Sequence, residues 1–109
     1  MAALKLTLEY HGAGFNGWAA QVGLRTVEDV LSDAIETVLR VRPSLAVAGR
    51  TDTGVHARGQ VVSFDVDALP ELGPLLRSLN GVLPDDVAVV DMARAPDGFD
   101  ARRDARSRT

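Results

Sequence analysis

Thr26-Val27-Glu28-Asp29-Val30-Leu31-Ser32-Asp33-Ala34-Ile35-Glu36-Thr37-Val38-Leu39-Arg40 is the stretch that decides the fold. Val27, Val30, Leu31, Ala34, Ile35, Val38 and Leu39 recur three and four residues apart, one apolar stripe on a helical period. Thr26 offers a hydroxyl to the free amides of a first turn, and Asp29 follows three residues on, close to a capping box. Pro43 cannot continue the helix beyond its end. The spacing therefore predicts a helix over residues 26–40. Upstream the period is different. Leu4, Leu6, Leu8 and Tyr10 alternate with Lys5, Thr7 and Glu9, as in a strand buried on one face.

Downstream, Leu45-Ala46-Val47-Ala48 reads as a short strand that runs into the glycine-rich segment Gly49–Gly59. Gln60, Val62, Phe64 and Val66 face one way and Val61, Ser63 and Asp65 the other, a third strand. Pro70 opens a second helix carrying Leu72, Leu75, Leu76 and Leu79, with Asn80-Gly81 expected as its C-cap. Val87-Ala88-Val89-Val90-Asp91-Met92 makes a fourth strand. The order β-α-β-β-α-β predicts an α+β, ferredoxin-like two-layer sandwich, with a four-stranded antiparallel sheet and two helices on one face. Residues 1–94 are expected to form this unit, and 95–109 a polar, arginine-rich continuation. The fold by itself selects no function.

At 109 residues with 46% hydrophobic content, one folded domain is expected. No apolar run approaches the roughly 18 residues of a membrane span. The alternating pattern starts at once, so no signal peptide is expected, and a cytoplasmic protein is the simplest reading. Cysteine is absent, which removes disulfide and thiolate chemistry. His11 and His56 are the only histidines and lie in no ligand-spaced cluster, so no metal is expected. The net charge is −3, which taken alone argues against nucleic acid, but its distribution does not. Residues 94–109 hold five arginines against three aspartates, and eleven of the twelve basic residues are arginine, the residue suited to bidentate phosphate contacts. A GC-rich genome that encodes arginine in place of lysine accounts for that bias equally well.

The chemistry is concentrated in Gly49-Arg50-Thr51-Asp52-Thr53-Gly54-Val55-His56-Ala57-Arg58-Gly59. Glycines at 49, 54 and 59 permit positive φ and close approach of a ligand. Arg50 and Asp52, two apart in an extended segment, share a side and are close enough to pair. Such pairing lowers a carboxylate's pKa and suits a nucleophile rather than a general acid. Read by spacing, the same pair also serves as a salt-bridged turn, and His56 as a ligand-stacking group or a packed loop histidine.

This segment resembles the signature of the tRNA pseudouridine synthase A family. Tyr10-x-Gly12-x-x-Phe15-x-Gly17-Trp18-x-x-Gln21 is similar to that family's first glycine-rich loop, Asn80–Val89 to the stretch before its fourth strand, and Phe99-Asp100-Ala101-Arg102 to the segment leading toward its second half. The resemblance implies an enzyme that isomerises uridine to pseudouridine in the tRNA anticodon stem-loop, just 3′ of the anticodon, with neither cofactor nor metal. It implies Asp52 as the catalytic aspartate, with Arg50 as its partner, holding it ionised. Base flipping is implied too, since a stacked uridine is out of reach. Arg58, His56, Gln21, Trp18 and Arg102 become the expected RNA contacts; for Trp18 and Phe15, anchoring in the core is the equal alternative.

Three positions depart from the family pattern: His11 where aspartate is usual, Ala19 where glutamine is usual, and Arg103-Asp104 after Phe-x-Ala-Arg. Family members have a second, similar half that completes the cleft and are expected to be homodimers. The chain is therefore expected to be an N-terminal half, inactive alone, with its partner half and the base-stacking tyrosine elsewhere. Two other classes share the topology. A non-catalytic RNA-binding module would place aromatics on the central strands, where Val62, Val66 and Val89 stand beside Phe64 alone. A small phosphatase would need an arginine in the loop after the first strand, and His11–Trp18 has none.

Overall fold

The computed structural model describes residues 2–11, 15, 17, 18, 23, 25–48, 57–68, 70–96 and 99–101, without the side chains of 57 and 58. Strands β1 (Ala2–Tyr10), β2 (Ala46–Val47), β3 (Ala57–Val66) and β4 (Val87–Ala95) and helices α1 (Val27–Leu39) and α2 (Leu72–Val82) follow one another as β1-α1-β2-β3-α2-β4. The sheet order is β2-β3-β1-β4, and every pairing is antiparallel. This is the expected α+β two-layer sandwich.

The core lies between helices and sheet. Leu4, Leu6 and Leu8 of β1 are fully buried and stand opposite Phe64, Val62 and Gln60 of β3. Val27, Leu31 and Ile35 of α1 and Leu75 and Leu79 of α2 close over them. The helical stripe read from the sequence is thus the buried face. Thr26 caps α1 as expected: its hydroxyl accepts from the Asp29 amide at 3.5 Å and donates to the Asp29 carboxylate at 3.3 Å. The helix ends at Leu39, before Pro43 can act, because Arg40 adopts the left-handed conformation (φ 64°) and its amide returns to the Glu36 carbonyl.

Two expectations change. Strand β3 begins at Ala57, before the expected Gln60, because the slip at Gly59 interrupts its period, and β4 runs on to Ala95, beyond the expected Met92. And Asn80-Gly81 does not cap α2, which continues to Val82 with Leu83 at its C-cap. The Asn80 amide is committed elsewhere. It donates to the Val89 carbonyl and accepts from the Val89 amide, both at 2.9 Å, pairing with β4 as a neighbouring strand would. Since β4 lies at the end of the sheet order, this contact covers part of an open edge.

Asn80→Ala is therefore expected to cost about 1–2 kcal/mol, the net of two lost hydrogen bonds, read as a lower urea midpoint. Light scattering should show more self-association than in the parent chain, because the β4 edge is uncovered.

Candidate active site

Tyr10 ends β1 with Ala57, the first residue of β3, on one side and Val87, the first residue of β4, on the other. That register brings three separated stretches to one end of the sheet. The chain following β1 is the first glycine-rich segment, the chain preceding β3 carries Arg50, Asp52 and His56, and the turn preceding β4 is Pro84-Asp85-Asp86. Residues 49–56, with Asp52, Arg50 and His56, lie outside the described residues, as do Gln21 and Arg102. Their flanks are described: the Ala48 amide donates to the Val61 carbonyl at 2.9 Å, and Ala57 is fixed opposite Tyr10.

Arg58 lies within β3, its backbone opposite Glu9. Between it and Gln60 the register slips by one, and Gly59, with φ 80°, is the extra residue of a bulge. A Cβ there would meet nothing within 4 Å, so glycine is required by conformation and not by crowding.

Trp18 and Phe15 resolve their two readings in one direction. They are 1% and 2% exposed and belong to the core, so the expected stacking of Trp18 on RNA does not hold. The physical reason is α1. The Gly17 carbonyl accepts from the Val27 amide (3.2 Å) and the Trp18 carbonyl from the Glu28 amide (2.9 Å), while Thr26 serves Asp29. Loop carbonyls thus take amide donors that a helix N-terminus would otherwise offer to a phosphate, and they draw the indole under the helix.

The aromatic argument against a stacking platform also needs different residues. Val62, Phe64 and Val89 belong to the helix-covered core. The opposite face carries Lys5, Thr7, Val61, Ser63, Asp65, Asp91 and Ala93 by alternation and register. No aromatic stands there among the described strand residues. Part of this face is covered: the buried Ser63 hydroxyl accepts from the Ala101 amide at 2.8 Å, so residues 99–101 return over β3.

Sequence reading missed a two-pronged polar contact at this end of the sheet. Arg25 grips Asp86 with both terminal nitrogens, at 2.7 and 2.9 Å, across 61 positions of sequence. Its guanidinium carbon lies 4.1 Å from the Phe15 ring centroid, and Phe15 meets Tyr10 edge-on at 6.2 Å. The Asp86 carbonyl also accepts from the His11 amide at 2.9 Å. Hydrogen bonding from Arg25 outweighs partial burial and holds the Asp86 carboxyl below its ordinary range, with smaller help from the charges of Arg25 and His11. No local pattern links the two residues; the only cue is that each sits beside a motif-bearing segment. No cluster able to hold a metal occurs among the described residues, and no helix there is long and apolar enough to cross a membrane.

The geometry defines a class: a small α+β sandwich in which Tyr10, Ala57 and Val87, each belonging to a different motif-bearing stretch, meet at one sheet end. No family model matches the chain. It is 45% identical to tRNA pseudouridine synthase A of Myxococcus xanthus over 99% of its own length and 41% of the relative's. It is 50% identical to the protein of that name from Frankia casuarinae (99% and 40%) and 47% identical to that of Mycobacterium leprae (96% and 41%). The chain is similar to these tRNA pseudouridine synthase A proteins along nearly its whole length, and it spans about two fifths of the length of these curated relatives, their N-terminal part.

The depressed Asp86 carboxyl gives a pH prediction. Its contribution is fully present above the ordinary aspartate value of 3.8 and is lost as pH falls through the lower folded value. Emission of Trp18, the single tryptophan, should therefore hold steady from neutral pH to about 4 and shift red below it. In Asp86→Asn the shift should already be present at neutral pH.

Proposed function

We propose that these residues form the aspartate-bearing part of a tRNA pseudouridine synthase, with Asp52 the catalytic carboxylate and Arg50 its ion-pair partner. One observation carries the reading: the register at Tyr10 gathers three of the family-like blocks, far apart in sequence, at a single sheet end. A signature copied for structural reasons alone would not require that meeting.

The reaction is an isomerisation with no net gain or loss of atoms. The bond between N1 of uracil and C1′ of ribose breaks, the base turns, and a bond from C5 to C1′ forms. The C5 proton leaves and N1 acquires one. Asp52, kept ionised by Arg50, either attacks C1′ or removes the C2′ proton to give a glycal; both routes need an anionic carboxylate beside the sugar. The uridine must leave the stack to reach it.

Electrostatics favour one orientation of the RNA. The outer face of α1 presents Asp29, Asp33 and Glu36 around a single Arg42, which lies 2.7 Å from Asp33 and 3.4 Å from each of the others. Phosphate is repelled there. We assign the phosphate and base contacts instead to Arg58, His56, Gln21 and Arg102, reading the anticodon stem-loop through backbone and shape. Trp18 is withdrawn from that set. The second half of the same enzyme would supply the other wall of the cleft, in a cytoplasmic homodimer, as the family resemblance implies.

In the full-length enzyme Asp52→Asn is expected to abolish pseudouridine in the anticodon arm while the fold and tRNA binding persist. Retained product, measured on digested tRNA, would overturn the assignment. The 109-residue chain alone should yield no detectable pseudouridine; turnover by it would remove the need for a second half.

A further inference from the structure

We propose that Arg25 is a positioning residue for the reaction assigned above and not an RNA contact. Arg25, Asp86 and Phe15 form a clamp that holds the chain after β1 against the sheet end from which the Asp52 segment springs. The catalytic consequence rests on the function proposed above; the clamp itself rests on geometry alone.

An arginine beside an RNA-modifying site invites a phosphate assignment. The geometry points the other way. Both terminal nitrogens of Arg25 are engaged by the two oxygens of Asp86, at 2.7 and 2.9 Å, and the pair carries no net charge. The face of its guanidinium lies against Phe15, 4.1 Å from the ring centroid. A phosphate would have to break a two-pronged contact and a stacked one together.

The clamp has a continuous route to the Asp52 segment. Asp86 belongs to the turn before β4 and receives the His11 amide on its carbonyl. Arg25, the residue before the N-cap of α1, ties that turn to the helix start already held by the carbonyls of Gly17 and Trp18. Phe15 passes the contact edge-on to Tyr10, whose neighbour across the sheet is Ala57, the residue at which the Asp52 segment enters β3. Five packed groups thus connect the α2–β4 turn, the start of α1 and the root of the catalytic segment.

Lysine cannot replace arginine in this arrangement, because an ammonium makes neither the fork nor the flat stack. That separates the two roles experimentally. Arg25→Lys keeps the charge for a phosphate but loses the clamp, and Asp86→Asn breaks the clamp while leaving the arginine in place. In the full-length enzyme each substitution is expected to lower kcat about tenfold or more, the scale of a misplaced catalytic group, with KM for tRNA unchanged within about twofold. In the 109-residue chain each should shift Trp18 emission to the red. Near-normal kcat with Arg25→Lys, or tighter tRNA binding with Asp86→Asn, would make Arg25 a phosphate ligand and overturn the inference. Unchanged Trp18 emission in both variants would overturn it whatever the kinetics. Wild-type enzyme and Asp52→Asn, assayed in parallel, decide the reaction separately: if wild type makes no pseudouridine, the function fails while the emission data still judge the clamp.

Discussion

The rest of this molecule depends on the antiparallel pairing of β1 on both of its sides. Leu4, Leu6 and Leu8 are fully buried because β1 is central, and central position requires that β3 and β4 both find it in register. The same pairing decides which stretches of sequence meet at the Tyr10 end of the sheet. Each partner slips by one residue at nearly the same level, near Leu8: Gly59 is the extra residue in β3, and Val90 the extra residue in β4. A bulge bends its strand and increases the local twist. Two bulges flanking one strand turn the site end of the sheet away from its regular course. Val90, a valine 48% exposed on a strand, is explained as the cost of that turn.

Polar contacts then secure what the register assembles. Loop carbonyls from Gly17 and Trp18 occupy the first amides of α1, Asn80 covers part of the β4 edge, and Ser63 holds the Ala101 amide beneath the returning chain. No buried side-chain nitrogen or oxygen among the described residues is left without a partner. Each of these groups joins elements that hydrophobic packing alone would leave free to slide, since apolar contact is not directional. The Arg42 contacts on α1 are different. They lie in solvent, and exposed pairs of that kind contribute little to stability. Their weight is electrostatic, in making one face of the molecule unattractive to RNA.

Helix α1, its cap, the two-layer architecture and the central apolar strand were all legible in the sequence, because each is written as a local period or a local cap. What escaped was non-local or aperiodic. Alternation does not show the slip in register at position 59, since a bulge leaves no mark but a glycine among several glycines. Asn80 beside Gly81 has the composition of a helix end, yet its amide serves a strand nine residues on. The Arg25–Asp86 pair has no sequence period at all. The indole of Trp18 was ambiguous for a related reason: glycine neighbours describe the freedom of the chain, not the destination of the side chain. Arg50, Asp52, His56, Gln21 and Arg102 are read from the family-like motifs and lie outside the described residues.

The two ends of the Asp52 segment are held unequally, and this bears on how a carboxylate there is aimed. At its start, β2 contributes two residues, Ala46 and Val47, opposite Ser63 and Val62, with one further bond from the Ala48 amide. At its end, β3 runs ten residues and pairs with β1 over most of them. An edge strand of two residues supplies few hydrogen bonds with which to fix a direction, whereas a central strand opposite a buried one supplies many. Orientation must then come chiefly from the β3 side, through Ala57, Tyr10 and the aromatic and ionic groups stacked behind Tyr10. The register of the β1–β3 pair, and not the chemistry of the loop, therefore limits how well the carboxylate proposed as catalytic is placed.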